Sequence, residues 1–185
     1  MRVVGGALGG RRLAAADGIR PTSDRAREAI FNMLASLQLP EGATVLDLFA
    51  GTGALGIEAL SRGATHATFV DSGPSAHEAI STNLTTLGVA ELATVVRSDA
   101  IRYLTGDSGA GGAQFDLVFA DPPYLFDGWA ELLGSADSDV VVCESDREIT
   151  GPRWQTYRVR RYGTPVVTVL LRGTALLRDG VRRDR

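Results

Sequence analysis

The sequence predicts an α/β fold: a seven-stranded, mostly parallel sheet with helices on both faces. Three observations predict it. Short, nearly continuous apolar runs alternate with segments of helical periodicity, which is typical of parallel strands buried on both faces. The last two apolar runs flank Gly163-Thr164-Pro165, a turn that predicts an antiparallel C-terminal hairpin at one edge. A glycine-rich turn over residues 51–56 joins the first strand to a helix, as in open α/β sheets.

The N-terminal part predicts a small hairpin or arm and then a helix. Residues 1–20 consist of short apolar pieces separated by glycines, such as RVVGG and LGGRRLAA. Thr22 or Ser23 can cap the helix that follows. We expect Arg25 and Arg27 to lie off its apolar face, which is formed by residues at helical spacing: Ala26, Ile30, Met33, Leu34 and Leu37.

Beyond this helix, strands and helices alternate. Five strands are predicted over residues 43–49, 66–71, 93–98, 114–121 and 139–145. Helices are predicted between them, near residues 54–62, 74–87, 100–104 and 127–134. The hairpin over residues 154–173 supplies two more strands, and the glycine-rich loop over residues 105–114 is expected to be mobile. We expect an arm over residues 1–20, one domain over residues 21–175 and a frayed tail over residues 176–185.

Composition excludes several classes of protein. The 185 residues suffice for one domain with a core, and 44% hydrophobic with 22% charged residues is ordinary for a globular protein. No apolar run approaches the roughly 20 residues that span a bilayer, and no signal peptide is expected. The single cysteine, Cys143, lies in an apolar run and predicts a buried thiol in a cytoplasmic protein. No cluster of Cys and His indicates a metal site.

Charge is segregated along the chain. The net charge is −3, but residues 1–27 carry +4, residues 153–185 carry +7 and residues 28–152 carry −14. Every basic residue other than His is arginine, which suits bidentate contact with phosphate. A genome whose base composition favours arginine codons is the simpler explanation for the absence of lysine. The segregation itself favours a nucleic-acid partner.

The turn over residues 51–56 reads Gly-Thr-Gly-Ala-Leu-Gly and is flanked by acids. Asp47, four residues before the turn, suits a cationic amino-acid ligand better than a pyrophosphate. Asp71 ends the next strand, 20 residues after Gly51, where an acid can accept the ribose hydroxyls of NAD or S-adenosylmethionine. Asp99 ends the third strand on the same rim. Alternatively, these three aspartates cap the helices that follow them.

A stiff corner follows the fourth strand, at Asp121-Pro122-Pro123-Tyr124. The Asp121 carboxylate and the Pro122 carbonyl can accept both protons of an exocyclic amine, while Tyr124 stacks on the ring that carries it. Aligned acceptors help such an amine to pyramidalise, and Asp121 can take the proton lost on alkylation. The corner therefore indicates the acceptor side of a methyl-transfer site.

The motifs DLFAGTGALG, FVD, SDA and DPPY, in this order, resemble those of class I S-adenosylmethionine-dependent methyltransferases. The N-terminal VVGGALGGRRL and GIRPTSDRAREAIFNML resemble the RsmD family, bacterial enzymes that methylate N2 of one guanine in 16S ribosomal RNA. The resemblance extends from about residue 2 to residue 173. It implies a Rossmann-like fold, the cofactor S-adenosylmethionine and, as partner, 16S ribosomal RNA within an assembling small subunit. A monomer without membrane contact is expected.

The resemblance also implies roles for individual residues. The methyl donor would be bound by Asp47, Ala50, Gly51, Thr52, Gly53, Asp71, Ser72, Asp99 and Ala100. The target guanine would be held by Asp121, Pro122, Pro123 and Tyr124. Substrate RNA would be contacted by Arg11, Arg12, Arg20 and Arg25, although surface solubility explains Arg11 and Arg12 about as well.

Other functions remain open from the residues alone. An adenine-N6 DNA methyltransferase or a glutamine methyltransferase would share the corner, but these usually carry an added recognition region. An NAD-dependent oxidoreductase would need a catalytic set, and neither His66 nor His77 has an evident acid or nucleophile partner. A non-catalytic RNA-binding module would have no need of Asp121.

Overall fold

Seven strands form one sheet in the computed structural model, which describes residues 1–14, 23–106 and 113–173. The strands are β1 (Thr44–Leu48), β2 (His66–Asp71), β3 (Ala93–Arg97), β4 (Phe115–Ala120), β5 (Ser138–Ser145), β6 (Trp154–Arg161) and β7 (Val166–Arg172). Their order across the sheet is β3-β2-β1-β4-β5-β7-β6. Strands β1 to β5 pair in parallel, whereas β7 runs antiparallel to both β5 and β6. The predicted sheet is confirmed, including its antiparallel edge.

The helices divide between two layers. They are α1 (Asp24–Ala35), α2 (Ala54–Ser61), α3 (Pro74–Leu87), α4 (Ala100–Leu104) and α5 (Trp129–Ser135), with a short 3₁₀ turn at Ala90–Leu92. Apolar residues of α1, α2 and α3 pack in one core and those of α4 and α5 in a second. Cys143 is buried in the second core, as expected, and burial raises the pKa of its thiol. Among the described residues, no helix could cross a membrane, since none is both long and apolar enough.

The strand order places a crevice between β1 and β4. From β1 the chain continues to β2 and β3 on one side, whereas β4 and β5 lie on the other. Loops that leave neighbouring parallel strands toward opposite sides open a cleft at the carboxyl ends of those strands, where ligands of open α/β sheets bind. Asp47 pairs with Phe119 across this boundary, and Asp121 directly follows β4.

The N-terminal hairpin, residues 1–14, packs on α2. Its ends pair through an antiparallel bridge between Arg2 and Arg12, and Val3 and Leu13 are buried in the core. Every residue of α2 is buried, and its Glu58 carboxylate accepts hydrogen bonds from the backbone N–H groups of residues 4 and 5, at 2.7 and 2.8 Å. The hairpin is thus part of the packed body.

The prediction that Arg27 lies off the apolar face of α1 is wrong. Its side chain is fully buried rather than placed off the apolar face of α1. It pairs with Asp24 one turn earlier, and its Nη1 lies 3.9 Å from Oε2 of Glu58. Arg62 donates to the same carboxylate at 2.8 Å. A buried carboxylate that anchors the hairpin requires cations beside it, and helical periodicity cannot reveal this.

One of the two predicted caps of α1 is confirmed, and several other predictions fall on residues that the structure does not describe. Ser23 caps α1, since its Oγ accepts a hydrogen bond from the N–H of Ala26 at 3.2 Å. Thr22 and Arg20 lie outside the described residues, as do residues 107–112 of the glycine-rich loop and the expected tail.

Candidate active site

A cavity of about 660 Å³ opens at the carboxyl ends of the parallel strands. Its wall brings together ten of the predicted site residues: Asp47, Ala50, Gly51, Thr52, Asp71, Ser72, Asp121, Pro122, Pro123 and Tyr124. Residues predicted to bind the methyl donor and residues predicted to hold the target base therefore line the same cavity. Gly53, Asp99 and Ala100 are not part of this wall.

The turn after β1 is shaped by backbone in the left-handed region. Phe49, Gly51 and Gly53 have φ of 58°, 56° and 78°, and Phe49 adopts this conformation despite its side chain. A side chain at Gly53 would lie 3.3 Å from Ile57, Ile80 and Phe69, so this glycine faces the core. It permits the turn, while Gly51 lies on the cavity wall.

Gly56 allows α2 to lie close to the sheet. A Cβ atom built at Gly56 would lie 2.3 Å from the ring of Phe69 in β2. The N–H of Gly56 donates to Oδ2 of Asp47 at 2.8 Å. The third glycine of the motif thus packs the helix and orients the carboxyl group of Asp47.

Asp47 is a buried acid in the cavity wall, only 2% exposed. Burial raises the pKa of its carboxyl group to about 8, the Gly56 hydrogen bond opposes the shift, and the carboxylates of Asp121 and Asp71 add to it. Without a ligand the neutral form is favoured at neutral pH. A cation in the cavity would favour the ionised form.

Asp71 links the two loops on its side of the cavity. Its Oδ2 accepts from the N–H of Gly51 at 2.9 Å and its Oδ1 from the N–H of Gly73 at 2.8 Å. Each oxygen of an ionised carboxylate can accept more than one hydrogen bond. The carboxylate can therefore hold the loops and still accept hydroxyl groups of a ligand.

Asp99 caps the helix that follows it. Its Oδ1 accepts from the N–H groups of Ile101 and Arg102, at 3.0 and 3.1 Å, at the start of α4. Ala100 is buried in the second core. The capping role is therefore the one observed for Asp99, and contact of these two residues with a cofactor stays a prediction.

The corner after β4 is fixed by packing on both sides. The N–H of Phe126 donates to the carbonyl of Pro123 at 2.8 Å, which closes a tight turn. The Phe126 ring meets Phe49 and Trp129 edge-on, with centroids 5.2 and 5.5 Å away. Asp121 and Tyr124 are thus carried on a rigid loop against the cavity.

Sequence reasoning missed the far wall of the cavity. This wall contains Glu144 near the end of β5, with Tyr162, Thr164 and Pro165 from the turn between β6 and β7. Glu144 is only 7% exposed. A signal was present in the sequence, because this acid follows the apolar run VVVC on a strand whose carboxyl end lies on the same rim as Asp121.

Three of the arginines predicted to contact RNA are among the described residues, and none of these three lines the cavity. Arg11 and Arg12 are exposed on the N-terminal hairpin. Arg25 is exposed on α1, between Ser23 and Ala26, both of which line the cavity. Their contact with RNA stays a prediction. No cluster of His, Cys, Asp and Glu in the described parts of the chain could hold a metal ion.

The family model described as Conserved hypothetical protein 95 matches residues 1–171. The chain belongs to this family, the RsmD family of methyltransferases. Its Rossmann-like class I fold is also found in a solved structure: the putative methyltransferase yhhF from Escherichia coli matches with a TM-score of 0.81 at 36% identity, covering 93% of this chain and 97% of that chain.

Two relatives are similar over most of their length. YlbH of Bacillus subtilis is 41% identical over 161 residues, which are 82% of this chain and 86% of the relative. Ribosomal RNA small subunit methyltransferase D of Escherichia coli is 37% identical over 176 residues, 88% of this chain and 85% of the relative. The family model, which matches residues 1–171, includes both the N-terminal hairpin and the cavity.

Proposed function

We propose that this protein transfers a methyl group from S-adenosylmethionine to the N2 amine of one guanine in 16S ribosomal RNA. The observation that carries the proposal is the position of Asp121. It lies on one cavity wall with the glycine turn and Asp71 on one side and Glu144 on the other. A donor and a base can thus meet at its carboxylate.

The donor side fits S-adenosylmethionine by charge and by size. The buried Asp47 carboxyl group complements the ammonium of the methionine part, and Asp71 can accept the ribose hydroxyls. A cavity of about 660 Å³ lies within the range of cofactor sites. When bound, the cofactor supplies a methyl group on a positively charged sulfur, which keeps the bonding electrons when that methyl group leaves.

The acceptor side fits an exocyclic amine. The Asp121 carboxylate and the Pro122 carbonyl accept the two N–H groups, so that the nitrogen lone pair turns toward the donor side. Tyr124 stacks on the base, as aromatic residues do with extruded bases. The nitrogen forms the new N–C bond and loses one proton, which Asp121 accepts or passes to water.

The relatives and the charge distribution support this substrate. The Escherichia coli relative bears the name of a small subunit methyltransferase, and exposed arginines flank the cavity on α1 and on β6. A net charge of −3 gives little general attraction to RNA, which favours a folded, protein-bearing particle over naked RNA. The protein would act as a monomer, in the cytoplasm where ribosomal subunits assemble.

The decisive experiment combines methyl transfer with one substitution. Small subunits from a strain that lacks this protein should accept tritiated methyl groups from S-adenosylmethionine, and digestion should yield N2-methylguanosine. Asp121→Ala should lower the rate by about 100-fold or more, as expected for a lost acid–base and charge-stabilising group, with cofactor affinity within a few fold.

Asp127→Ala is the matched control. It removes an exposed carboxylate of the same loop that does not line the cavity, and it should keep the full rate. Normal turnover by the Asp121 variant, or a product other than N2-methylguanosine, would overturn the proposal.

A further inference from the structure

We infer that Glu144 selects guanine as the target base by accepting a hydrogen bond from its N1–H. The inference rests on the proposed function and adds a specificity-determining residue to it. It starts from an acid that the sequence motifs leave without a role and that lies in the same cavity wall as Asp121 and Tyr124.

The sheet register places Glu144 beside Asp121. Phe119 of β4 pairs with Val142 of β5, and each acid stands two residues beyond its member of this pair. The last pair of this register is Ala120 with Cys143, so that Asp121 and Glu144 are the next residues along neighbouring segments, and neighbouring strands lie about 4.8 Å apart. Both residues line the cavity, so their carboxyl groups border one stretch of it.

The order of the strands shows which of these two acids lies nearer to the residues that bind the methyl donor. Across the rim lie Asp71 of β2, Asp47 of β1, Asp121 after β4 and Glu144 of β5. The donor-binding residues are on the β1 and β2 side, so Glu144 is on the side of Asp121 that faces away from the donor. An amine held at Asp121 would have the rest of its base extending over β5.

The chemistry of the base edges then favours one base. In guanine, the ring position beside the exocyclic amine on the Watson–Crick edge is N1, which carries a proton. In adenine and cytosine, the corresponding ring nitrogen is an acceptor. An ionised carboxylate only accepts hydrogen bonds, so Glu144 would bind the N1–H of guanine and repel the lone pair of the other two bases.

A base analogue, combined with a substitution of Glu144, tests this contact. The RNA is rebuilt with 2-aminopurine at the methylated guanine and assembled into small subunits; this analogue keeps the 2-amine but lacks O6 and has an unprotonated N1. Wild-type protein should methylate the guanine RNA at least about 10-fold faster in kcat/KM, the discrimination of one good base contact. Glu144→Gln can donate from its amide to N1, so this preference should fall by about 10-fold or more.

Two further variants separate specificity from folding. Glu148→Gln alters an exposed acid on the segment after β5, outside the cavity wall, and should keep the wild-type preference. Glu144→Asp keeps the carboxylate and should keep the preference for guanine at a reduced rate. S-adenosylmethionine affinity should change less than a few fold in all three, since none is on the donor side.

Two results would overturn the inference. One is a wild-type protein that methylates the 2-aminopurine RNA as fast as the guanine RNA, which needs no variant to fold. The other is Glu144→Gln with an unchanged preference. Failure of the proposed function is a different result, because the wild-type protein would then leave the guanine RNA itself unmethylated.

Discussion

At the scale of single residues, Asp47 shows how burial makes the charge of an acid depend on a cationic ligand. Its carboxyl group is buried with the Asp121 and Asp71 carboxylates nearby, and its pKa is raised to about 8. Between pH 3.8, which is the ordinary pKa of an aspartate, and about pH 8, the folded protein holds a proton on Asp47 that the unfolded chain releases. This contribution to stability is complete below pH 3.8 and is lost as the pH rises toward 8.

Asp47→Asn should therefore stabilise the ligand-free protein at high pH while weakening cofactor binding. The amide oxygen can still accept from Gly56, but no charge is buried. We expect a melting temperature about 2–4 °C or more above wild type at pH 8 and a smaller difference at pH 5. Thermal unfolding at both pH values measures this, and equal differences at the two pH values would contradict it.

The same group predicts proton release when the cofactor binds. A bound ammonium favours the ionised form of Asp47, so wild-type protein at pH 7 should release up to about one proton on binding S-adenosylmethionine. Asp47→Asn should release none and should bind at least about 10-fold more weakly. Calorimetry in buffers of different ionisation enthalpy counts these protons.

At the scale of elements, the contact between α2 and β2 depends on one missing side chain. Gly56→Ala would place Cβ 2.3 Å from the Phe69 ring, so the helix that presents its N–H to Asp47 must shift. Overpacking of this kind costs about 1–3 kcal/mol, which lowers the melting temperature by several degrees. Cofactor affinity should fall with it.

Gly134→Ala supplies the matched control for that substitution. Gly134 lies in α5, with nothing within 4 Å of a built Cβ, and its φ is not in the left-handed region. Alanine there should be neutral or stabilise by up to about 1 kcal/mol. Thermal unfolding of both variants measures the difference, and equal melting temperatures would refute the packing role of Gly56.

Elements were predictable from sequence wherever the cause is local. The apolar runs indicate the strands and their alternation with helices, Ser23 indicates the start of α1, and Gly163 indicates the turn of the hairpin. Parallel pairing places the acids at the strand ends on one rim. Arg27 and Glu144 were not predictable in this way. The burial of Arg27 depends on Glu58, 31 residues away, and Glu144 joins the site only through the strand order.

At the scale of the whole molecule, the basic ends of the chain meet the body at separate places. The N-terminal hairpin, which packs on α2, carries the exposed Arg11 and Arg12. Strand β6, at one edge of the sheet, carries the exposed Arg160 and Arg161, and Tyr162 directly after it lines the cavity. Each pair is therefore a candidate contact for the RNA around the target base.

Charge reversal tests the two surfaces separately. Arg11→Glu with Arg12→Glu, and Arg160→Glu with Arg161→Glu, should each weaken binding to small subunits and lower the salt slope by about 1 for each phosphate that is no longer neutralised. Cofactor affinity should not change, because none of these residues lines the cavity. Filter binding at several salt concentrations measures both quantities.

Arg97→Glu with Arg102→Glu is the control of equal charge. These exposed arginines lie on β3 and α4, and β3 is the sheet edge opposite to β6. If attraction to RNA depended on net charge alone, all three double variants would weaken binding equally, since each changes the charge by the same amount. We expect this control to bind nearly as wild type. Unchanged affinity and salt slope in the Arg11 and Arg12 variant would instead leave the hairpin with a packing role only.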